Sequence, residues 1–306
     1  QCMGQKKKIF VSGSLAYDRI MNFSGKFSDH ILPDKVHTLN ISFLVEEIKE
    51  NFGGTAGNIA YNLSLLKENP VIIASAGNNF EKYKRWLESK NIDISKIVIY
   101  PNDETASAHI ITDTSDNQIT GFHLGAMKQP CGIISTHDID ENSFAIVAPG
   151  NIQDMIDLSL FYKKHFIRYI FDPGQNIPAL TPDQLTTCIE GCSVLIANDY
   201  EMSLILKKTN LEINYILQTA QAVITTLGEK GSIIETQNQK YIIPPAKPLN
   251  TSDPTGAGDA FRAGLIKGIL SFLSWDKSGR LGSITSVYTV EKYGTQSHTF
   301  TLVDIK

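Results

Sequence analysis

Short, nearly continuous apolar runs recur along the chain, and most are followed by a turn and then by apolar residues at helical spacing. Residues 8–13, 71–76, 144–148, 169–172 and 194–197 read as buried strands. Residues 80–89, 152–164, 182–190 and 281–292 read as helices. Residues 105–112 with 118–122 read as a hairpin, as do Ile233 and Ile234 with 241–243, whereas the mixed stretch from Met21 to Val45 suggests edge strands outside the main sheet. Repeated strand–helix units with wholly apolar strands predict an α/β fold: a doubly wound, mostly parallel sheet with helices on both faces. No internal repeat or linker divides residues 1–306, so one domain is expected.

Composition narrows the function classes. Charged residues at 20%, hydrophobic residues at 42% and a net charge of −4 predict a globular protein with no basic footprint for nucleic acid or an anionic membrane. The one basic run, Lys6, Lys7 and Lys8, reads as a solvated start to the first strand. Cys2, Cys131, Cys188 and Cys192 lack paired zinc-ligand spacing, which predicts free thiols and a reducing compartment. The apolar start at 9–16 is broken by Gly13 and followed by Asp18 and Arg19, unlike a signal peptide, so a cytoplasmic location is expected.

Candidate chemistry concentrates near the C-terminal end. In 250–264, Gly256 and Gly258 allow a tight turn with bare N–H groups, and Phe261, Leu265, Ile269 and Phe272 recur at helical spacing, so a helix is expected to start near Asp259. An anion can be held at such a helix mouth by backbone alone, and a carboxylate there would lie beside it. A capping role is the plain alternative for Asp259. Asp18 follows the first strand, where a carboxylate can accept hydrogen bonds from two sugar hydroxyls or cap a turn. Gly53, Gly54 and Asn58 lie in a second glycine turn that opens a helix without the spacing of a dinucleotide fingerprint. Asn198 and Glu201 look like ordinary helix capping, and Thr226, Gly228 and Gly231 like a turn.

The string Asp253-Pro254-Thr255-Gly256-Ala257-Gly258-Asp259-Ala260-Phe261 resembles the signature of the ribokinase-like (PfkB) carbohydrate kinase family. That resemblance implies a ribokinase-like fold with a small β lid from roughly 19–48 and 105–125, and transfer of the ATP γ-phosphoryl group to a primary hydroxyl. Asp259 would be the general base and Gly256, Ala257 and Gly258 the anion hole. Asp18, Gly53, Gly54 and Asn58 would hold the substrate. Asn198, Thr226, Gly228 and Gly231 would lie on the nucleotide side, with Glu201 near Mg²⁺ through water and Asp253 and Thr255 near a monovalent cation such as K⁺.

Residues 13–18, the run from Leu32 and Pro33 to Val45, residues 121–127 and Gly294-Thr295-Gln296 are similar to the bacterial adenosine kinase branch of that family. The likeness implies adenosine or a related nucleoside as substrate, Ser14 and Asp18 on the ribose and Phe122 stacked on the purine. Ala108 departs from it, standing where a second aromatic is expected. A sugar kinase of the ribokinase kind is the alternative, and a homodimer through the lid strands is a further implication. A non-catalytic nucleoside sensor is disfavoured by Asp259, the glycine loop and Glu201 occurring together.

Overall fold

The computed structural model describes residues 7–31, 40–115, 117–132 and 134–305. Leu32 and Pro33, Cys2 and Lys6, on which parts of the sequence reading rest, lie outside them. In chain order the first elements are β1 (Lys8–Ser12), β2 (Ala16–Phe23), β3 (Val45–Gly53), α1 (Thr55–Leu65), β4 (Asn69–Gly77), α2 (Glu81–Ser89) and β5 (Asp93–Tyr100). The hairpin β6 (Ala106–Thr112) and β7 (Gln118–His123) follows, then β8 (Phe144–Val147), α3 (Ile152–Lys164), β9 (Arg168–Phe171), α4 (Pro182–Ile189), β10 (Val194–Asn198) and α5 (Asp199–Thr209). The chain continues through α6 (Ile213–Ile216), β11 (Ala222–Thr226), β12 (Ser232–Glu235), β13 (Lys240–Ile243), α7 (Ala257–Leu270) and α8 (Trp275–Val290).

Nine strands form the main sheet in the order β13-β12-β11-β10-β9-β8-β1-β4-β5. It is parallel from β5 to β11 and antiparallel only at the β12 and β13 hairpin. Strand alternation explains how both faces are covered. In β1, Ile9 and Val11 join one apolar cluster and Phe10 the other; in β10, Val194 and Ile196 divide from Leu195 and Ala197 in the same way. Strand order reverses where β1 lies between β4 and β8, and ligands of such sheets bind beyond the carboxyl ends of the strands at that reversal.

A second sheet, β3-β2-β6-β7, stands apart from the first. The chain leaves the main sheet at Ser12 and enters the second at Ala16, so Asp18 is a strand residue of the small sheet rather than part of a loop ending β1. Gly53, which read as part of a turn, closes β3 instead, and that strand begins at Val45, where the suggested edge strands end. Its central residues are solvent-exposed, so β3 carries no apolar alternation to reveal it. The edge strand β5 was also missed, for the same weak patterning.

Two further boundaries differ from the sequence reading. Helix α7 ends at Leu270, leaving Phe272 exposed and outside its apolar stripe, with φ 56°. Helix α8 starts at Trp275, where the Ser274 side chain caps it, rather than at residue 281; Gly279 and Gly282, poor helix formers that are needed for packing, hide its first turns in the sequence. A Cβ at Gly282 would lie 2.9 Å from the Phe261 ring of α7, and one at Gly279 2.8 Å from Ile243.

The tail after α8 is stitched to α1 through His298, which is 1% exposed. Its Nε2 lies 2.8 Å from Asn62 Oδ1 and 3.2 Å from Thr289 Oγ1. Burial pushes the imidazole down to about 4, so the native state refuses a proton that the unfolded chain binds near pH 6.5. The contribution of His298 to stability is therefore complete above about pH 6.5 and is lost, by about 3 kcal/mol in all, as the pH drops towards 4. The stability gap between wild type and a His298→Gln variant, read from urea midpoints, should therefore shift in favour of the variant as the pH falls from about 7 to about 5.

Candidate active site

Asp259 occupies the first turn of α7, three residues after Gly256, whose φ of 79° turns the chain into the helix. Ala257 donates its N–H to Pro254 O at 3.2 Å, while the N–H groups of Gly256, Gly258 and Asp259 find no partner among the described residues. Those free donors, with the positive end of the helix dipole, are able to seat an anion beside the Asp259 carboxylate. Of the three amides expected in the anion hole, Ala257 is thus already engaged. Asp259 Oδ2 accepts a hydrogen bond from Asn58 Nδ2 at 2.8 Å. Burial pushes the Asp259 carboxyl up to about 6, against the lowering effect of Asn58 and the Arg262 guanidinium, with Asp172 and Asp18 adding to the rise.

Sheet register arranges the opposite wall. Asp18 pairs with Asn51 on one side and Ala108 on the other, and Ala108 pairs with Phe122. Paired residues share a face, so Asn51, Asp18, Ala108 and Phe122 form one row across the small sheet. Phe122 is 51% exposed and Ala108 only 7%, giving a low floor between a carboxylate and an open ring. A Cβ at Gly53 would lie 2.3 Å from Asp18 Oδ2, so glycine there leaves the carboxylate its place. Burial pushes the Asp18 carboxyl up to about 6, and Asp253 adds to the rise.

Gly54, at φ 88°, turns β3 into α1, and any side chain on it would lie 2.5 Å from Ser14 O. Ser14 is tied to the same corner: its Oγ accepts the Thr55 N–H at 3.0 Å and lies 3.3 Å from Thr55 Oγ1. In this conformation the Ser14 hydroxyl braces the helix start. Asp253 likewise holds local backbone, accepting N–H donors from Thr255 at 2.9 Å and Gly294 at 3.1 Å.

On the other side of the α7 mouth lies a cavity of about 740 Å³. It brings together Asn198, Thr226, Gly228 and Gly231 with Ala257 and Gly258, and α8 closes it with Ser283, Val287 and Val290. Its volume suits a nucleotide-sized ligand. Asn198 and Glu201 form a reciprocal cap at the start of α5: Asn198 Oδ1 accepts from Glu201 N at 2.7 Å, and Glu201 Oε2 accepts from Asn198 N at 2.9 Å. Burial raises the Glu201 carboxyl. Among the described residues no cluster of three or more His, Cys, Asp or Glu could cage a metal ion.

Sequence reasoning gave no role to the buried pair behind the mouth. Arg262, 7% exposed, forks onto both Asp172 oxygens, one at 2.9 Å, and donates to Gly258 O at 3.0 Å. Asp172 ends a predicted strand and Arg262 directly follows the recognised string, but nothing in either stretch signals that they meet. Cys131, Cys188 and Cys192 are free and buried, and burial raises all three thiols, so none is a nucleophile. No described helix is long and apolar enough to cross a membrane.

Comparison with known proteins shows the family. The family model for pfkB family carbohydrate kinases matches residues 7–301. A nucleoside kinase of Methanocaldococcus jannaschii is 31% identical over 298 residues, which span 96% of this chain and 94% of that protein. A structure of Burkholderia thailandensis nucleoside kinase in complex with inosine superposes with a TM-score of 0.86 at 34% identity, covering 97% of this chain and 95% of the other. The same enzyme in complex with ADP-inosine gives 0.84 at 36% identity, covering 97% and 93%. With its whole described fold matched and its signature string placed at the mouth of α7, the chain belongs to the pfkB family of carbohydrate kinases, ATP-using phosphotransferases with an alcohol acceptor.

Proposed function

We propose that this protein is a nucleoside kinase that transfers the γ-phosphoryl group of ATP to the 5′-hydroxyl of a purine nucleoside. The row from Asp18 through Ala108 to Phe122 carries the reading. Two strand spacings separate the carboxylate from the ring, roughly 10 Å in all. A ribose bound at Asp18 would leave its base over Phe122, whereas a bare pentose would not reach it. The inosine complex of the Burkholderia thailandensis enzyme supports a purine nucleoside.

In this reading Asp18 accepts two ribose hydroxyls and Asp259 accepts the proton of the attacking hydroxyl. The free N–H groups of Gly256, Gly258 and Asp259 receive charge that develops on the transferred phosphoryl group. ATP would fill the cleft along Thr226, Gly228, Gly231 and α8, with Asn198 at its edge. Mg²⁺, which takes few protein ligands, would be held by Glu201 through water and by nucleotide oxygens, and would neutralise phosphate charge. Each Asp253 oxygen accepts one N–H donor, which keeps the turn before α7 in shape, and retains a lone pair with which Asp253, together with Thr255, would hold a monovalent cation such as K⁺.

ATP consumption measured with inosine, adenosine, guanosine and free ribose tests the assignment. Purine nucleosides should be turned over and ribose should not; turnover of ribose alone would replace the reading with a sugar kinase. Asp18→Ala should raise KM for the nucleoside roughly 10- to 100-fold, the loss of one or two charge-assisted hydrogen bonds, with a smaller change in kcat.

A further inference from the structure

Behind Asn58 lies a chain of buried side chains whose direction is fixed at both ends. The indole N–H of Trp86 can only donate, and it lies 3.0 Å from Gln296 Oε1. The Gln296 amide nitrogen must then face the other way, and it lies 3.1 Å from Asn58 Oδ1 and 2.6 Å from the Tyr83 hydroxyl. Tyr83 in turn donates to Gly53 O at 2.8 Å. Thr295 Oγ1 lies 2.7 Å from Asn58 Oδ1 and 2.9 Å from Phe52 O, and its single proton can serve only one of them. With Gln296 Nε2 donating to its oxygen, Asn58 presents its NH₂ group to Asp259. Reversing any one amide would set oxygen against oxygen and nitrogen against nitrogen along the chain.

The surroundings are shaped for this chain. Asn58, Gln296 and Thr295 are 4%, 5% and 1% exposed, and a Cβ on Gly57 would fall 1.9 Å from the Tyr83 oxygen and 3.0 Å from Gln296 Nε2. We propose that Gln296, oriented by Trp86, is a positioning residue that locks the Asn58 amide onto Asp259 Oδ2 and leaves Oδ1 to take the proton of the acceptor hydroxyl. This rests on Asp259 being the base. The charged and titratable groups facing Asp259 are Arg262 of its own helix, Asp172 beyond β9, Asp18 of β2 and Tyr83 of α2. Replacing Gln296 leaves them all in place, so a change in Asp259 titration would come through Asn58. Without the lock, Asn58 is free to turn its oxygen towards the carboxylate, which favours the protonated form.

The test is kcat/KM against pH, from about pH 5 to about pH 9, for Gln296→Met, together with the carbon-detected NMR titration of the Asp259 carboxyl. The acid limb and the carboxyl titration should both move upwards by about one pH unit, with kcat lowered more than KM is changed. An unshifted titration in a folded variant would overturn the proposal. Should Gln296→Met fail to fold, Trp86→Phe decides: it keeps an aromatic ring beside Phe52 and Tyr61, smaller than the indole, and removes the N–H donor. It should move the titration in the same direction, and no movement would overturn the lock. The NMR titration does not depend on catalysis, so a lock that fails is distinguishable from a base assignment that fails, which active Asp259→Asn enzyme would reveal.

Discussion

Asp259→Asn enzyme should lose about three to four orders of magnitude in kcat while binding nucleoside with little change in affinity. The amide keeps the volume of the carboxylate but cannot accept a proton, so the attacking hydroxyl would have to shed its proton to water. The anion seat at the mouth of α7 remains, because its donors are backbone N–H groups that the substitution does not alter. Single-turnover kinetics with a calorimetric measurement of nucleoside binding would separate the two effects. A variant retaining a tenth of wild-type kcat would remove Asp259 from the role of base. The same assignment fixes a pH dependence. Burial pushes the Asp259 carboxyl up to about 6, so kcat/KM should fall on the acid side of that value as the base becomes protonated, and stay level above it until another group titrates.

The second large effect is on stability. Arg262→Met should destabilise the fold by about 3 to 5 kcal/mol, because it strands the Asp172 carboxylate, 2% exposed, without its counter-ion. In thermal unfolding this corresponds to a fall in Tm of roughly 10 °C. The double variant Arg262→Met with Asp172→Leu should regain most of the loss, since two apolar side chains of similar volume bring no charge into the interior. Activity should not return with stability: Arg262 also donates to Gly258 O at 3.0 Å, the carbonyl side of the glycine turn that shapes the anion seat. A double variant as unstable as the single one would show that packing, not charge desolvation, sets the cost.

The chain itself determined the fold class and the family. Wholly apolar strands alternating with helical spacing specify a parallel sheet buried on both faces, because only that arrangement hides both sides of strands such as β1 and β10. The glycines and carboxylate of 253–261 are legible because a helix mouth that seats an anion needs those residue types at adjacent positions. Tertiary structure decided what joins residues distant in sequence. The pairing that sets Asp18, Ala108 and Phe122 in one row depends on strands β2, β6 and β7 finding register, and β3 beside them is too polar to announce itself. Arg262 meets Asp172 across 90 positions, and Asn58 meets Asp259 and Gln296 across 201 and 238. Hydrogen-bond partners at such separations leave no periodic trace along a chain, since what selects them is the need to satisfy polar groups once the two layers have closed over them.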